Sequence, residues 1–294
     1  MFLEVYEYKY VPGIIDGETL SLAIRNPGRK FRSLVSKSYV ERVRGRLIIA
    51  HEEAGCELEI DVNDAPPRIS PTTLYHVDCG SSTIIPLQAH SSGVFIKLYK
   101  PEKGNHVTLV INGIHMHRYK GITPLKDAAL KVKYLGAVRG AKVLEIGTGL
   151  GYTAISALKR GASLIYTIEA NKLVLHLASH NPYSRLLSDG RVRILVGDAS
   201  KVIRYIRSEA FSKVLHDPPR FQLAGQLYSG EFYSEIFRVL RPGGTLLHYT
   251  GEPLRGRGRG HGPIVKGVMD RLRRAGFHRV RYIEEVGAVI AWKP

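Results

Sequence analysis

The segment His216-Asp217-Pro218-Pro219 combines an acidic side chain with a stiff turn, directly after an apolar run. A carboxylate oxygen and a prolyl carbonyl oxygen both accept hydrogen bonds, and together they can hold an amino group in one orientation. Two consecutive prolines restrict the backbone and remove two competing N–H donors, so the turn would be rigid. This arrangement indicates chemistry in which the lone pair of a positioned nitrogen attacks an electrophile and catalysis comes mainly from orientation.

A glycine-rich loop, Gly147-Thr148-Gly149-Leu150-Gly151, follows the predicted strand 143–146 and could hold a cofactor. Glycine permits backbone angles closed to other residues and allows a ligand to approach the main chain closely. Open α/β sheets bind ligands at the carboxyl ends of their strands, where such a loop would lie. A dinucleotide-binding fingerprint places its third glycine three residues after the second. Here the interval is two residues, which disfavours a dinucleotide.

Two acidic residues stand where the next two predicted strands end. Glu169 ends the second strand, about twenty residues past the loop, and a carboxylate there can accept hydrogen bonds from both hydroxyl groups of a ribose. Asp198, within Gly197-Asp198-Ala199, follows the third strand. The glycine loop and the two acidic positions thus follow one another in order, each at the end of a predicted strand.

The stretch 143–151, with Glu145 two positions before the first glycine, resembles motif I of the class I S-adenosylmethionine (SAM)-dependent methyltransferases. The resemblance covers residues 107–294 and implies that SAM is the cofactor. It implies that Glu169 contacts the ribose of SAM and that Asp198 and Ala199 lie at its adenine. The residues that it implies for the loop and the methionine end of SAM are Glu145, Gly147, Thr148, Gly149 and Gly151.

The turn after the fourth predicted strand resembles motif IV of this family, the [Asp/Asn/Ser]-Pro-Pro-aromatic sequence of enzymes that methylate exocyclic amines of nucleic-acid bases. The resemblance implies that the catalytic turn consists of Asp217, Pro218, Pro219 and Arg220. Arg220 stands where the family has an aromatic residue that stacks on the base, and Phe221 comes one position later. An arginine side chain can also stack on a base.

A second resemblance is to the spermidine synthases, which transfer an aminopropyl group from decarboxylated SAM to an amine. It rests on residues 109–115, on the segment 227–233, and on Leu240-Arg241-Pro242-Gly243-Gly244. It would place the catalytic aspartate of those enzymes at Asp217. Three features disfavour a polyamine as the substrate. The glycine loop lacks the triple-glycine-aspartate form of the spermidine synthases, and residues 115–120 are basic where a polyamine site would need carboxylates. A strongly positive protein would also repel a polycation. We therefore interpret this resemblance as common ancestry; the whole pattern also resembles a group of predicted archaeal methyltransferases.

Histidines near the predicted pocket are candidates for contact with the substrate. His115 and His117 alternate, so on a strand they would share one face. No third ligand accompanies them, and no metal site is predicted. His216 and His248 end strands beside the pocket, where either could carry a proton. The predicted substrate-facing residues are His115, His117, Arg118, Phe221 and Tyr228.

Two patterns divide the chain into two predicted domains. Residues 1–105 contain short β-prone runs separated by Pro and Gly, which predicts a small β-rich N-terminal domain. Residues 106–294 alternate strand-like and helix-like segments, which predicts a doubly wound parallel sheet. Only a tight turn separates the last two strands, so they must be antiparallel. The predicted fold class is α/β, with a seven-stranded class I methyltransferase (Rossmann-like) sheet whose last hairpin is antiparallel.

Charge is distributed unevenly along the sequence. Residues 1–100 hold twelve basic and twelve acidic side chains, so the whole net charge of +17 lies in residues 101–294. A surplus of one sign indicates an anionic partner, most often nucleic acid. The run Arg255-Gly256-Arg257-Gly258-Arg259-Gly260 is typical of segments that contact nucleic-acid backbones. The charged surface of a thermophile would explain many charges of both signs but not a large surplus of one sign. An anionic partner is therefore expected, and RNA is the predicted one.

The remaining patterns exclude several classes of protein. No apolar run approaches the roughly 18 residues that span a bilayer, and the chain opens without a signal-peptide pattern, so a cytoplasmic protein is expected. Cys56 and Cys79 fit no metal spacing, and a disulfide between them is left open. The resulting hypothesis is a SAM-dependent methyltransferase that methylates a nitrogen of RNA. The alternatives are an aminopropyltransferase, a small-molecule methyltransferase, and a nucleic-acid-binding module with a relict cofactor site.

Overall fold

The computed structural model describes residues 3–91, 93–102, 104–219, 221, 224–251 and 262–294. Its strands are β1 Glu4–Tyr6, β2 Ile14–Asp16, β3 Lys30–Arg32, β4 Ser38–Val43, β5 Arg46–His51, β6 Cys56–Asp61, β7 Leu74–Asp78, β8 Thr83–Pro86, β9 Gln88–Ser91, β10 Val94–Tyr99, β11 Thr108–Ile111, β12 Ile114–His115, β13 Lys142–Ile146, β14 Leu164–Glu169, β15 Val192–Val196, β16 Phe211–His216, β17 Leu240–Tyr249, β18 His278–Ile283 and β19 Ala288–Trp292. Its α-helices are α1 Gly17–Arg25, α2 Pro124–Leu135, α3 Tyr152–Lys159, α4 Lys172–Ser179, α5 Ala199–Val202, α6 Gly230–Val239 and α7 Pro263–Arg274. Short 3₁₀ helices lie at Val62–Asp64, Pro182–Ser188, Ile203–Tyr205, Gly225–Tyr228 and Glu284–Val286. Within these described ranges, no helix has the length and apolar character needed to cross a membrane.

The chain divides into two compact units. The first, called the sheet unit below, comprises Met1–Tyr8, Leu125–Lys172 and Leu186–Pro294, and the second, called the β-rich unit, comprises Lys9–Pro124 and Leu173–Arg185. In this division β11 and β12 belong to the β-rich unit, because they continue the sheet that β9 and β10 begin. That residues 1–105 form a domain of their own stays a prediction.

The sheet unit is built on a mixed sheet of eight strands in the order β1-β15-β14-β13-β16-β17-β19-β18. Strands β13 to β17 pair in parallel, and β19 runs antiparallel to both β17 and β18, which confirms the predicted last hairpin. The predicted count of seven strands is wrong, because β1 adds an eighth strand antiparallel to β15. A β-prone pattern does not show which sheet edge a strand joins, since that choice depends on tertiary packing.

Apolar residues on the strands and on α6 form the core of the sheet unit. β13 buries Val143, Leu144 and Ile146, as expected for a central strand covered on both faces. α6 begins where the Ser229 side chain accepts a hydrogen bond from the Phe232 backbone N–H, at 3.1 Å. The buried face of α6 packs into the same apolar cluster as β13. The ends of the central strands are therefore held in place by a well-packed core.

The described part of the β-rich unit contains three small antiparallel sheets, with strand orders β12-β11-β10-β9, β2-β7-β8 and β3-β4-β5-β6. Asn112 and Gly113 connect β11 to β12 with positive φ angles of 45° and 79°, as a tight hairpin turn requires. A disulfide joins Cys56 to Cys79. The sequence left this pairing open because the proximity of the two residues depends on how the small sheets pack.

Helix α1 lies among the strands of the β-rich unit, in a region where the sequence pattern predicts a β-rich domain and indicates no particular helix. Its N-cap residue Asp16 is fully buried. The carboxylate accepts hydrogen bonds from the Thr19 backbone N–H at 3.0 Å, the Ser33 hydroxyl at 2.8 Å and the Leu34 backbone N–H at 2.9 Å. Because its donors come from α1 and from the segment after β3, Asp16 joins the helix to the strands.

Replacing Asp16 with alanine is expected to destabilise the protein by about 2–4 kcal/mol, because it removes a helix cap and leaves buried donors unpaired. Urea unfolding followed by circular dichroism measures this loss. Asp61→Ala is the matched control, since Asp61 caps an exposed 3₁₀ helix through one backbone N–H and should contribute less than about 1 kcal/mol. Equal losses in the two variants would contradict the role given to Asp16.

Candidate active site

The glycine loop and the Asp217 turn lie side by side at the carboxyl edge of the eight-stranded sheet. β13 and β16 pair in parallel with Ile146 opposite His216, and the Asp217 backbone N–H donates to the Ile146 carbonyl at 2.9 Å. Gly147 has a φ angle of +92°, and a Cβ there would lie 2.4 Å from the Asp217 carbonyl oxygen and 3.9 Å from the Cα of Pro218. Because only glycine fits this approach, the loop and the turn constrain each other.

Glu169 lies at the end of β14, beside the glycine loop. Its Oε2 accepts the backbone N–H of Gly149 and its Oε1 that of Asn171, each at 3.0 Å. Burial raises the pKa of Glu169, while these backbone N–H groups lower it. Each carboxylate oxygen can accept a further hydrogen bond, so Glu169 can hold the loop and still bind hydroxyl groups of a ligand.

Asp198 follows β15, the next strand along this edge. The Gly197 N–H donates to the Glu169 carbonyl at 2.9 Å, which places the two acidic residues on adjacent strand ends. Oδ1 of Asp198 accepts from the backbone N–H and the hydroxyl of Ser200 and so caps α5, whose first residue, Ala199, is buried. Oδ2 accepts no hydrogen bond from the described residues. This oxygen could receive an amino group from a ligand.

Glu145 lies behind the glycine loop, in the interior of the sheet unit. Its carboxylate is buried and accepts hydrogen bonds from the hydroxyl groups of Thr153 and Thr167. Burial raises the pKa of Glu145 to about 7, although the two hydroxyl groups lower it. The Thr148 hydroxyl lies 2.6 Å from the Thr167 hydroxyl, so this network holds Thr148, the second residue of the glycine loop. The last residue of the loop, Gly151, is the N-cap of α3. The contact of Glu145 with a cofactor stays a prediction.

A lysine on α2 reaches the Asp217 turn. Lys131 Nζ lies 2.7 Å from Oδ2 of Asp217 and 3.3 Å from Oδ2 of Asp127. It also lies 3.9 Å from the centroid of the Tyr249 ring. Burial alone would lower the pKa of Lys131, but the two carboxylates outweigh burial and raise it above its ordinary value. In the sequence, Asp127 and Lys131 are four positions apart, a spacing that predicts no more than an exposed helical ion pair.

The remaining groups of the turn are an open carboxylate oxygen and two aromatic rings. Oδ1 of Asp217 accepts no hydrogen bond from the described residues, and 23 % of the side chain is exposed. The Tyr228 hydroxyl donates to the Pro219 carbonyl at 3.0 Å, and the exposed Phe221 ring meets the Tyr228 ring edge-on at 5.4 Å. Burial raises the pKa of Tyr228, and the Asp217 charge adds to this effect. Arg220 lies outside the described residues.

His216 and His248 are fully buried, with their rings stacked at 4.1 Å. His248 Nε2 lies 3.1 Å from the Tyr233 hydroxyl, and neither ring nitrogen of His216 has a hydrogen-bond partner among the described residues. Burial lowers the pKa of His248 to about 3 and that of His216 well below its ordinary value. Both rings are therefore uncharged near neutral pH, which disfavours the predicted role as proton carriers.

The other predicted substrate-facing residues lie in the β-rich unit. Strand β12 ends at His115, so His117 lies beyond the strand and the two histidines contact different neighbours. His115 packs edge-on against the Tyr99 ring at 4.8 Å, whereas Nδ1 of His117 lies 2.9 Å from the Thr108 hydroxyl. Arg118 is half-buried. The structure, over the ranges that it describes, contains no group of three or more side chains arranged to hold a metal ion.

Several known proteins resemble parts of the chain, although no family model matches it. It is 52 % identical over 188 residues to an uncharacterized protein of Methanocaldococcus jannaschii, a match that covers 64 % of each chain. It is 35 % identical over 156 residues to polyamine aminopropyltransferase 2 of Streptomyces coelicolor, covering 50 % of this chain and 27 % of that protein. It is 29 % identical over 121 residues to ribosomal RNA large subunit methyltransferase I of Aliivibrio fischeri, and this match covers 38 % of this chain and 31 % of that protein. The chain thus spans less than two thirds of the length of each of these relatives.

Two solved structures share the fold of the chain. Spermidine synthase in complex with the transition state analogue AdoDATO gives a TM-score of 0.56 at 19 % identity, covering 75 % of this chain and 80 % of that one. Spermidine synthase from Thermotoga maritima gives a TM-score of 0.52 at 20 % identity, and the match covers 74 % of this chain and 77 % of that one. The strand order and the glycine loop at the carboxyl edge agree with this likeness. The chain therefore has the class I SAM-dependent methyltransferase fold and is related in structure to the spermidine synthases.

Proposed function

We propose that the chain is an enzyme that binds SAM at the carboxyl edge of the eight-stranded sheet and transfers its methyl group to a nitrogen atom of RNA. One observation carries this proposal: the Asp217 turn lies beside the glycine loop through its backbone, and its carboxylate has one oxygen on Lys131 and the other open to an acceptor. SAM supplies an electrophilic methyl group when bound. The protein contributes the positions of the cofactor and the acceptor, which is the main source of rate in such a transfer.

The residues at this edge fit a cofactor that contains a nucleoside. Glu169 is braced by the loop amide of Gly149 and retains lone pairs for two ribose hydroxyl groups. Oδ2 of Asp198, on the adjacent strand end, is open to an adenine amino group. The absence of a side chain at Gly147 lets the Asp217 turn pack directly against the loop, so that the cofactor site and the acceptor site adjoin. In our proposal Glu169 binds the ribose, Asp198 binds the adenine, and the loop holds the methionine end.

Lys131 influences which kind of acceptor suits the Asp217 turn. Its ammonium group pairs with both Asp217 and Asp127, so these carboxylates are less able to attract an external ammonium. A neutral amino group needs a hydrogen-bond acceptor, and Oδ1 of Asp217 provides one. As the nitrogen forms its bond to the methyl group, the bond from that group to the sulfonium sulfur breaks and S-adenosylhomocysteine is the product; in our proposal Oδ1 of Asp217 receives the proton that the nitrogen loses. The exposed Phe221 ring, braced edge-on by Tyr228, offers a surface on which a base can stack.

RNA is the acceptor that we favour because of the charge of the chain. The whole surplus of +17 lies in residues 101–294, and such a surplus attracts a polyanion and repels a polyamine. One of the curated relatives is named as a ribosomal RNA large subunit methyltransferase. Arg255, Arg257 and Arg259 lie outside the described residues, so the contact of that segment with phosphates stays a prediction.

Aminopropyl transfer to an amine is the second candidate function. It is favoured by the fold shared with spermidine synthases and by the 35 % identity to a polyamine aminopropyltransferase over 156 residues. In that reaction Asp217 would bind a cationic amine, and the ion pair with Lys131 would have to open. The two candidates therefore differ in the cofactor, SAM or decarboxylated SAM, and in the state of this ion pair.

Asp217→Ala is expected to lower the rate of methyl transfer at least about 100-fold, because the acceptor that orients the amino group is removed, and to change SAM affinity less than about threefold. Single-turnover kinetics and calorimetry measure the two quantities. Asp127→Ala is the matched control, since it removes the other carboxylate partner of Lys131 and should keep the rate within about fivefold. Equal losses of rate would mean that Asp217 acts only by holding Lys131.

Glu169→Gln is expected to weaken the binding of S-adenosylhomocysteine about 10- to 100-fold, because a hydrogen bond to a charged acceptor contributes about 1.5–3 kcal/mol. Isothermal titration calorimetry measures the change. Asp189→Asn serves as the control, since Asp189 is a carboxylate of the sheet unit that pairs with Arg191 away from the loop. Unchanged affinity in Glu169→Gln would show that the ribose binds elsewhere.

The proposal as a whole is tested with SAM labelled on its methyl group, incubated with unmodified RNA, DNA and polyamines in separate reactions. We expect label in material that RNase releases, and nucleoside analysis then identifies the modified nitrogen. No label in RNA would overturn RNA as the acceptor. Transfer of labelled aminopropyl groups from decarboxylated SAM to a polyamine, without methylation of RNA, would establish the second candidate.

A further inference from the structure

A cationic cavity lies at the amino edge of the eight-stranded sheet, at the opposite end of the strands from the Asp217 turn. It has a volume of about 210 Å³ and is lined by residues that precede or begin β13, β16 and β17. β13 is five residues long, so the cavity lies about 15 Å from the glycine loop at roughly 3.3 Å per residue. The charged side chains that line it are Arg139, Lys213 and Arg241.

These three cations have no carboxylate among them. Neither Arg139 nor Arg241 forms an ion pair with any residue that the structure describes. Lys213 is half-buried and donates one hydrogen bond, to the Thr245 hydroxyl at 2.9 Å, which leaves two of its N–H groups for a ligand. Burial lowers the pKa of Lys213, and the charge of Arg241 lowers it further. The cations repel one another, and an anion between them would relieve that repulsion.

The turn Arg241-Pro242-Gly243-Gly244 brings the second arginine to the cavity. Gly243 has a φ angle of +72°, and its N–H donates to the Lys293 carbonyl at 3.0 Å. A Cβ on Gly244 would lie 2.7 Å from the Arg241 carbonyl oxygen. Both positions therefore require glycine. Gly243 and Gly244 take no part in the proposed binding of SAM. The tight turn that they allow instead positions Arg241 at the cavity.

We propose that this cavity binds a phosphate group and that, if the proposed function holds, the phosphate belongs to the backbone of the acceptor RNA. Two guanidinium groups and an ammonium offer several charge-assisted donors, and guanidinium groups match phosphate oxygens in a bidentate manner. Contacts to phosphate fix the position of a nucleic acid without reading its bases. The cavity would therefore hold the RNA at a point distant from the methylated base.

Titration of the full chain with inorganic phosphate, followed by ³¹P NMR, tests the site itself. The double variant Arg139→Ala/Arg241→Ala is expected to bind phosphate at least about tenfold more weakly than the wild type. Arg204→Ala/Arg207→Ala is the matched control, because it removes the same charge from exposed positions of the sheet unit and should bind phosphate like the wild type. Lys213→Met gives a second, independent variant with the same expected loss. No saturable binding to the wild type, or equal weakening in both double variants, would overturn the proposal.

A single-stranded RNA oligonucleotide identifies the source of the phosphate. Loss of one phosphate contact should reduce the slope of log K against log salt by about 0.7 in the cavity variant, with no change in the control. If the cavity variant no longer binds inorganic phosphate but keeps the wild-type slope of log K against log salt for RNA, the phosphate in the cavity does not come from the RNA backbone. Neither readout involves methyl transfer. Phosphate binding without RNA methylation would therefore contradict the proposed function alone, and methylation without phosphate binding would contradict the cavity alone.

Discussion

The parallel pairing of β13 with β14 and β16 is the constraint on which the candidate active site depends. Because these strands run in one direction, their carboxyl ends meet at one edge and bring the glycine loop, Glu169 and Asp217 together. Gly147 completes the arrangement, since any side chain there would collide with the Asp217 carbonyl oxygen. The pairing of the strands therefore positions the site as much as its side chains do. It brings together residues that lie far apart in the sequence.

The buried ammonium of Lys131 connects the Asp217 turn to helix α2. Removing an ammonium from water is costly unless it is paired, and here Asp217, Asp127 and the Tyr249 ring compensate for that cost. The pairing orients Asp217, because Oδ2 is engaged and Oδ1 is left for an acceptor. It also reduces the attraction of this turn for a cationic amine. In our proposal, the fold shared with spermidine synthases therefore carries, in this chain, an electrostatic arrangement that suits a neutral acceptor.

Local patterns were enough to predict the central sheet, because strand–helix alternation and glycine spacing are properties of short segments. They could not predict the place of β1, since nothing in three β-prone residues indicates which sheet edge they join. Helix α1 was missed because the donors that hold Asp16 come partly from residues 33 and 34. Lys131 was missed for a similar reason, because its spacing from Asp127 is ordinary and its contact with Asp217 is tertiary. Long-range contacts of this kind leave no trace in composition or periodicity.

A crystal structure of the chain with S-adenosylhomocysteine tests the central claim most directly. We expect the nucleoside at the carboxyl edge, with its ribose on Glu169 and its adenine at Asp198, and the sulfur atom facing the Asp217 turn. Lys131 should remain within hydrogen-bond distance of Oδ2 of Asp217, as it is at 2.7 Å here. A nucleoside bound elsewhere would contradict the proposed cofactor site. A Lys131 side chain that moves away and leaves the Asp217 carboxylate unpaired would contradict the preference for a neutral acceptor.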